Sequence, residues 1–277
     1  MDLLQAQRVF SAELNEITED ALLEARLIIQ KAAGLSGPAL LTHPERELTS
    51  GEEEQIRSLC AERKQGVPLP YLLGEWEFYG HSFLVNPAVL IPRPETELLV
   101  EQAAAWLKQH PEIRRGYDIG TGSGCIAVSL LIDFPDLTMN AADISFGALR
   151  TARRNAERHH CADRFHAVRA DLFSAFGSGA GLVCANLPYI PTESCRTIEP
   201  ARFEPLSALD GGTDGFDLYR LLFQDLKNKI NQKCLILCEI EYRQRELALR
   251  TAEAFFPERS VSVLADLAGQ PRLLRIE

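Results

Sequence analysis

The spacing of apolar positions divides the chain into three stretches of different character. Over residues 1–66 the period is helical: Leu22, Ala25, Ile29 and Ala32 recur at steps of three and four, with Gly34 where a helix would stop. Ser50-Gly51-Glu52-Glu53 fits a capping box, in which Ser50 accepts from a free backbone N–H and Glu53 reaches back. Ile56, Leu59 and Cys60 then form an apolar stripe that ends near Gly66. Residues 67–94 differ: aromatic and polar positions alternate over 75–85, then Pro87, Pro92 and Pro94 interrupt, which predicts a hairpin acting as a linker.

From residue 95 to 277 helix and strand patterns alternate. Helices are expected over 95–109, after Gly124, over 146–159 and over 216–229. Strands are expected to end at Ile119 and Asp143 and to cover 166–170, 181–185 and 234–240. Such alternation implies an α/β fold with a mostly parallel sheet covered on both faces. The last segments, 261–264 and 273–276 around Gly269-Gln270-Pro271, read as a terminal antiparallel hairpin. The expected organisation is a small helical domain (1–66), a β-hairpin linker (67–94) and a larger α/β domain (95–277). The helical part carries no catalytic constellation, so docking a partner or supporting the larger domain is its expected role.

Composition narrows the classes. The chain is 46% hydrophobic and 25% charged, the balance of an ordinary soluble globular protein. No apolar run approaches the roughly 20 residues that span a bilayer, and the N-terminus lacks a basic stretch followed by an apolar one with a cleavage site, so a cytoplasmic, membrane-free protein is expected. The seven cysteines include no Cys-x-x-Cys pair and read as reduced thiols rather than a disulfide framework or zinc site. His159, His160 and Cys161 are adjacent, point in different directions and have no answering cluster, so no metal is expected. A net charge of −10 disfavours sequence-independent nucleic-acid binding, and Arg150, Arg153, Arg154 and Arg158 read as a solvated helix face.

Two motifs carry chemistry. Asp118-Ile119-Gly120-Thr121-Gly122-Ser123-Gly124-Cys125 lies where a strand hands over to a helix, and its glycines let the backbone turn sharply and approach a ligand. A dinucleotide loop of G-x-G-x-x-G type would need glycine at 125, where Cys125 stands, so the pattern is G-x-G-x-G, the spacing found in S-adenosylmethionine methyltransferases. Asp143, at the end of the next strand, is placed to accept from both hydroxyls of a ribose, a feature that adenosylmethionine shares with NAD. Asp171 resembles the acidic position that many such methyltransferases place near the adenine, and Leu172 offers an apolar wall; a capping Asp and a core Leu are the alternatives.

The second motif, Asn186-Leu187-Pro188-Tyr189, follows a short apolar strand and so falls at the carboxyl edge of the sheet beside the glycine loop. Its chemistry suits a planar NH2 group whose lone pair is delocalised. The Asn186 side-chain carbonyl and the Leu187 backbone carbonyl accept its two hydrogens, and the Tyr189 ring supports the flat group. Pro188 biases residue 187 to an extended conformation. Hydrogen-bonding logic alone does not separate a glutamine amide from the exocyclic amine of adenine.

Further residues resolve the likeness. Pro68-x-x-Tyr71-x-x-Gly74, Glu77-Phe78, residues 90–97 (Leu-Ile-Pro-Arg-Pro-Glu-Thr-Glu), the loop from Asp118 to Gly124, Asn186 to Ile190, Arg202-Phe203-Glu204-Pro205, and Asp266-Leu267-Ala268-Gly269 with Arg272 resemble the release-factor glutamine methyltransferase family (PrmC/HemK) over nearly the whole chain. The resemblance implies a Rossmann-like class I methyltransferase domain behind a helical domain and a hairpin linker. It implies S-adenosyl-L-methionine as methyl donor, S-adenosyl-L-homocysteine as product, and, as substrate, the glutamine of the Gly-Gly-Gln motif in class I peptide-chain release factors.

By the same resemblance Gly120, Thr121, Gly122, Ser123, Gly124, Asp143, Leu172 and Asn186 surround the cofactor, Asn186 to Tyr189 surround the glutamine with Asn186 and Tyr189 catalytic, and the Arg93 region closes over the cofactor. The chain departs from the family at Leu187, where proline is usual, and at Glu241, where glycine is common. The competing reading is a methyltransferase for the adenine amine of RNA or DNA, against which the acidic balance and the helical N-terminal region count. A third is a binding module that has kept the fold without catalysis; an intact glycine loop and Asp143 argue against it.

Overall fold

In a computed structural model that describes residues 1–195 and 197–277, the helical pattern of the first stretch becomes α1 (Leu3–Leu14), α2 (Ala21–Ala33), α3 (Gly37–Thr42), α4 (Ser50–Lys64) and α5 (Leu69–Leu73). Gly34 ends α2 with φ 62°, a left-handed stop that a residue with a Cβ adopts only at a cost. The buried face of α2 centres on Ala25, Ile28 and Ile29, which leaves Leu22 46% exposed. The capping box of α4 begins at Thr49 and not at Ser50: Thr49 Oγ1 accepts from Glu52 N at 3.3 Å, and Glu52 Oε2 accepts from Thr49 N at 2.8 Å. Arg46 Nη2 donates to Glu52 Oε1 at 2.7 Å, whereas Glu53 pairs with the Met1 amine, so Glu52 is the partner that closes the box. A two-pronged ion pair, Arg63 to Glu24 at 2.8 and 3.1 Å, ties α4 to α2. These helices form one compact unit, Met1–Glu75; the second is Trp76–Glu277.

The hairpin pairs β1 (Glu75–Phe78) with β2 (His81–Leu84) through Tyr79 and Gly80, whose φ values of 52° and 71° make the two-residue turn that matches strand twist. Beyond it come α6 (Glu97–Gln109), β3 (Arg115–Ile119), α7 (Cys125–Asp133), β4 (Thr138–Asp143), α8 (Phe146–Arg158), β5 (Phe165–Arg169) and β6 (Ala180–Ala185). The chain ends through α9 (Thr192–Cys195), α10 (Asp217–Leu226), β7 (Ile230–Glu239), α11 (Arg245–Phe255), β8 (Val261–Ala265) and β9 (Pro271–Ile276). No sequence pattern announces α11, because the side chains it buries, Ala248 and Ala252, are too small to mark a period.

Among the described residues the larger sheet has seven strands in the order β5-β4-β3-β6-β7-β9-β8, parallel from β5 to β7 and antiparallel at β9 and β8. Strand residues alternate between two cores. Leu182 and Cys184 face the side covered by α6, α7 and α8; Val183 and Ala185 face the side covered by α10 and α11. The four exposed arginines of α8 lie on its outer face, where Arg153 pairs with Glu157 at 3.1 Å. His159 at its end sets Nε2 2.9 Å from Ser82 O.

Chain direction across the sheet reverses between β3 and β6, since β4 and β5 extend to one side of β3 and β6 and β7 to the other. The loops leaving β3 and β6 therefore part to opposite faces and open a crevice at the carboxyl edge, the place where such sheets bind ligands.

Candidate active site

Strand register places the chemistry. Ala142, Ile119, Ala185 and Cys238 pair in sequence across β4, β3, β6 and β7. The next residue on each strand is Asp143, Gly120, Asn186 and Glu239, so these four follow one level of the sheet edge. Gly120, Thr121, Gly122, Ser123, Asp143, Leu172, Asn186, Leu187 and Pro188 all line one open cleft of about 960 Å³. Asn186 and Tyr189 also line a small adjoining cavity with Arg93, Leu90 and Pro200.

The glycine loop is held from behind. Gly124 does not reach the cleft; it caps α7 at φ 81°, and a Cβ there would lie 2.9 Å from the Cβ of Ala152 on α8. Fully buried Asn155, also on α8, donates to Ser123 O at 2.8 Å and exchanges bonds with Leu84 N and O at 2.7 and 3.0 Å, joining loop and hairpin. Asp118 accepts from Thr121 Oγ1 at 2.6 Å and Ala127 N at 3.3 Å through Oδ2, while Oδ1 is buried with no partner. Burial raises its pKa to about 7, and the nearby Asp143 charge adds to the shift.

Asp143 fits a ribose. Oδ2 accepts from Gly122 N at 3.0 Å and Oδ1 from Ser145 N at 2.8 Å, so each oxygen retains a lone pair for one hydroxyl. Burial raises the pKa of this carboxyl, and the backbone donors oppose that shift. Leu172, held at φ 48°, and Ile144, 52% exposed, supply apolar walls to the same cleft.

On the acceptor side, Asn186 Nδ2 donates to Thr96 Oγ1 and to Glu239 Oε2, both at 3.1 Å. Tyr189 Oη donates weakly to Glu239 Oε1 at 3.4 Å. Glu239 is buried, which raises its pKa to about 7. Burial also raises the pKa of the Tyr189 phenol, and the Glu239 charge adds to it. The backbone after Asn186 is braced by Tyr219 Oη, 3.1 Å from Leu187 N, and by Gln244 Nε2, which donates to Tyr189 O at 2.9 Å. Gly215, at φ 78°, lets the neighbouring loop pass so close that a Cβ would sit 2.2 Å from Tyr189 O. Arg93 forms an ion pair with buried Glu204, whose other oxygen accepts from Ile91 N at 3.1 Å, and so ties two cleft-lining segments together.

Thr96, Asn155, Glu239, Gln244 and Tyr219 escape a reading of the motifs alone. Thr96 and Arg202-Phe203-Glu204-Pro205 fall in stretches already singled out; Glu239 and Gln244 flank the Glu241 departure. The glycine-dense run from Asp210 to Gly215 is the remaining unused signal.

The mostly parallel sheet, its switch point, the glycine loop and an acidic residue at the end of β4 define a class I S-adenosylmethionine-dependent methyltransferase. Comparisons support the class and refine it. The PrmC N-terminal domain family matches residues 5–74, and the Methyltransferase small domain family matches residues 94–197. The release factor glutamine methyltransferase of Geobacter sulfurreducens is 38% identical over 83% of this chain and 81% of its own length. That of Chlorobaculum tepidum is 41% identical over 79% and 78%. The chain belongs to the release factor glutamine methyltransferase family.

Solved structures agree on the fold. The hMettl16 catalytic domain superposes with a TM-score of 0.55 at 16% identity, covering 79% of this chain and 80% of that one. The N-terminal domain of human METTL16 in complex with SAH gives 0.50 at 16% identity, covering 85% and 86%.

Proposed function

We propose that this enzyme transfers the methyl group of S-adenosyl-L-methionine to the side-chain amide nitrogen of the glutamine in the Gly-Gly-Gln motif of class I peptide-chain release factors. The observation that carries the reading is the Asn186 amide: with Nδ2 committed to Thr96 and Glu239, Oδ1 is left for an incoming N–H. Family membership supports glutamine over adenine, since the clamp serves either group.

When bound, the cofactor supplies a methyl group on a sulfonium, which leaves as a neutral thioether. The residues of this chain position its acceptor. Gly120 to Ser123 cradle the cofactor and Asp143 accepts from its ribose, with Leu172 against the adenine. Asn186 Oδ1 and the Leu187 carbonyl take the two amide hydrogens of the substrate, which turns the face of the nitrogen toward the cleft. Tyr189 presents its ring to the flat amide, and the small cavity beside it takes the rest of the side chain. An N-protonated amide is so acidic that its surplus proton leaves without a dedicated base. Positioning carries the rate.

The helical unit over residues 1–75 is assigned to docking the release factor, and a cytoplasmic enzyme without direct nucleic-acid contact follows from the substrate. Among the described residues no helix is long and apolar enough to cross a membrane. The test is incubation with labelled adenosylmethionine and a class I release factor, its Gly-Gly-Gln Gln→Ala variant, or ribosomal RNA. Label should enter the unaltered factor only; label on both proteins, or on RNA alone, would overturn the assignment.

A further inference from the structure

A side-chain amide has two orientations of nearly equal shape, and only its neighbours choose between them. For Asn186 the choice decides function, because a flipped amide would meet the substrate NH2 with donors rather than an acceptor. Two groups touch its inward end, Thr96 Oγ1 and Glu239 Oε2. A hydroxyl accepts or donates equally well and so does not choose. An ionised carboxylate only accepts.

We propose that Glu239 is the positioning residue of the acceptor site, whose buried carboxylate holds Asn186 with Oδ1 toward the substrate and so makes the site one for NH2 groups. The proposal rests on the amide-transfer reading given above. Thr96 bonds to the same carboxylate, which commits its proton there and leaves a lone pair for Asn186 Nδ2. Tyr189 Oη donates to Oε1, so the two side chains of the motif that face the substrate share one anchor. The anchor is fixed in turn: Tyr219 Oη donates to the Glu239 carbonyl oxygen, and Ile240 N donates to Arg272 O at 2.8 Å.

Position follows from register. Glu239 comes one residue after Cys238, which pairs with Ala185, so it stands beside Asn186 on the neighbouring strand. A buried carboxylate is costly unless its partners are in place. Here the partners are the machinery itself.

Protonation would undo the selection, because a neutral carboxyl can donate to Asn186 Oδ1 and permit the flip. Burial opposes ionisation of Glu239 most strongly, Glu95 adds to that, and Arg272, Thr96 and Tyr189 favour it; the balance lies at about 7. Turnover should therefore fall on the acid side.

Three proteins test this: the unaltered enzyme, Glu239→Gln and Glu239→Leu, assayed for methyl transfer to a class I release factor across about pH 6 to 8.5. Glutamine can accept from Asn186 with its oxygen and donate to Tyr189 Oη with its nitrogen, and it does not titrate. We expect Glu239→Leu to lose about 100-fold in kcat, the scale of a misplaced reacting group, with KM for the factor changed less than about threefold. Glu239→Gln should stay within about tenfold of the parent at high pH and lose its acid limb.

A Glu239→Leu variant that binds adenosylmethionine in calorimetry and turns over at the parental rate would overturn the proposal. So would a Glu239→Gln variant that keeps the parental acid limb. Where Glu239→Leu does not fold, the pH profile of Glu239→Gln decides by itself. If the unaltered enzyme fails to label the factor, the glutamine reading fails, which is a separate result.

Discussion

The hydroxyl of Tyr219 stands between residue 187 and the end of β7, accepting from Leu187 N at 3.1 Å and donating to the Glu239 carbonyl oxygen. A proline at position 187 would have no N–H to offer. Leucine thus brings a buried donor into the acceptor motif, and Tyr219 satisfies it. Tyr219→Phe should cost about 1 to 3 kcal/mol by stranding that donor. On a Leu187→Pro background the donor is gone, and the penalty should shrink by about 1 kcal/mol. Urea denaturation of the two single variants and the double variant measures this; additive effects would contradict the coupling.

For Asp143 the prediction concerns cofactor affinity. Its two oxygens each hold one backbone N–H and keep one lone pair. Loss of charge-assisted bonds worth about 1.5 to 3 kcal/mol each should weaken adenosylmethionine binding by at least roughly tenfold in Asp143→Ala. Titration calorimetry reads this directly. An unchanged affinity would remove the ribose assignment.

Asn186→Ala should lower transfer by at least about 100-fold while circular dichroism and the melting transition keep their form. Asn186 is only partly buried, and its loss leaves Thr96 to bond Glu239. Near-normal turnover would contradict the two-acceptor clamp.

What the sequence makes legible follows from the range of each signal. Gly120 to Gly124 and Asn186 to Tyr189 are local motifs at strand ends, and Gly120 to Ser123 and Asn186 to Pro188 line the cleft because strand ends share one sheet edge, with Tyr189 in the adjoining cavity. Glu239 and Asn155 act across 53 and 32 residues, on Asn186 and Ser123 respectively. Their roles depend on strand order and helix packing, which no local pattern encodes. The same limit explains the shift from Ser50 to Thr49 in the capping box: two spacings fit, and distant partners, Arg46 on Glu52 and the Met1 amine on Glu53, distinguish them. Gly211 and Gly215 show a further kind of loss. The run from Asp210 to Gly215 reads as a turn, yet a Cβ on Gly211 would lie 2.6 Å from Pro188 O. Those glycines are spacers for the acceptor motif.

Gly215→Ala should therefore disturb both fold and activity. The added Cβ meets Tyr189 O at 2.2 Å and the residue carries φ 78°, so the loop or the Tyr189 backbone has to move. A left-handed residue with a Cβ costs about 1 to 2 kcal/mol, before the steric conflict is counted. Chemical denaturation should show a loss of at least that size, and turnover should fall more than adenosylmethionine affinity, because Gly215 braces the acceptor side and does not line the main cleft.

The last prediction concerns pH and stability. Asp118 rises from an ordinary carboxyl value of about 3.8 to about 7 and Glu239 from about 4.5 to about 7, both chiefly through burial. In the window between the unfolded and folded values the native state holds protons that the unfolded chain has released. Stability then falls as pH rises, by the proton-linkage relation. The contribution of these two groups is fully present below the unfolded values and is lost as pH climbs through about 7. His159, whose pKa burial lowers, works in the opposite direction, gaining stability as pH rises through its folded value toward 6.5. Asp143, also raised by burial, acts in the same sense as Asp118 and Glu239, so the net slope of the parent protein mixes several groups and variants separate them. Asp118→Asn removes one titration while its amide oxygen can still accept from Thr121 and Ala127. Its stability relative to the parent should improve steadily from about pH 5 to about pH 8, whatever its absolute level. Glu239→Gln should show the same trend. Denaturation midpoints at four or five pH values suffice, and a constant offset between parent and variant would mean that neither carboxyl binds its proton in the folded state near neutrality.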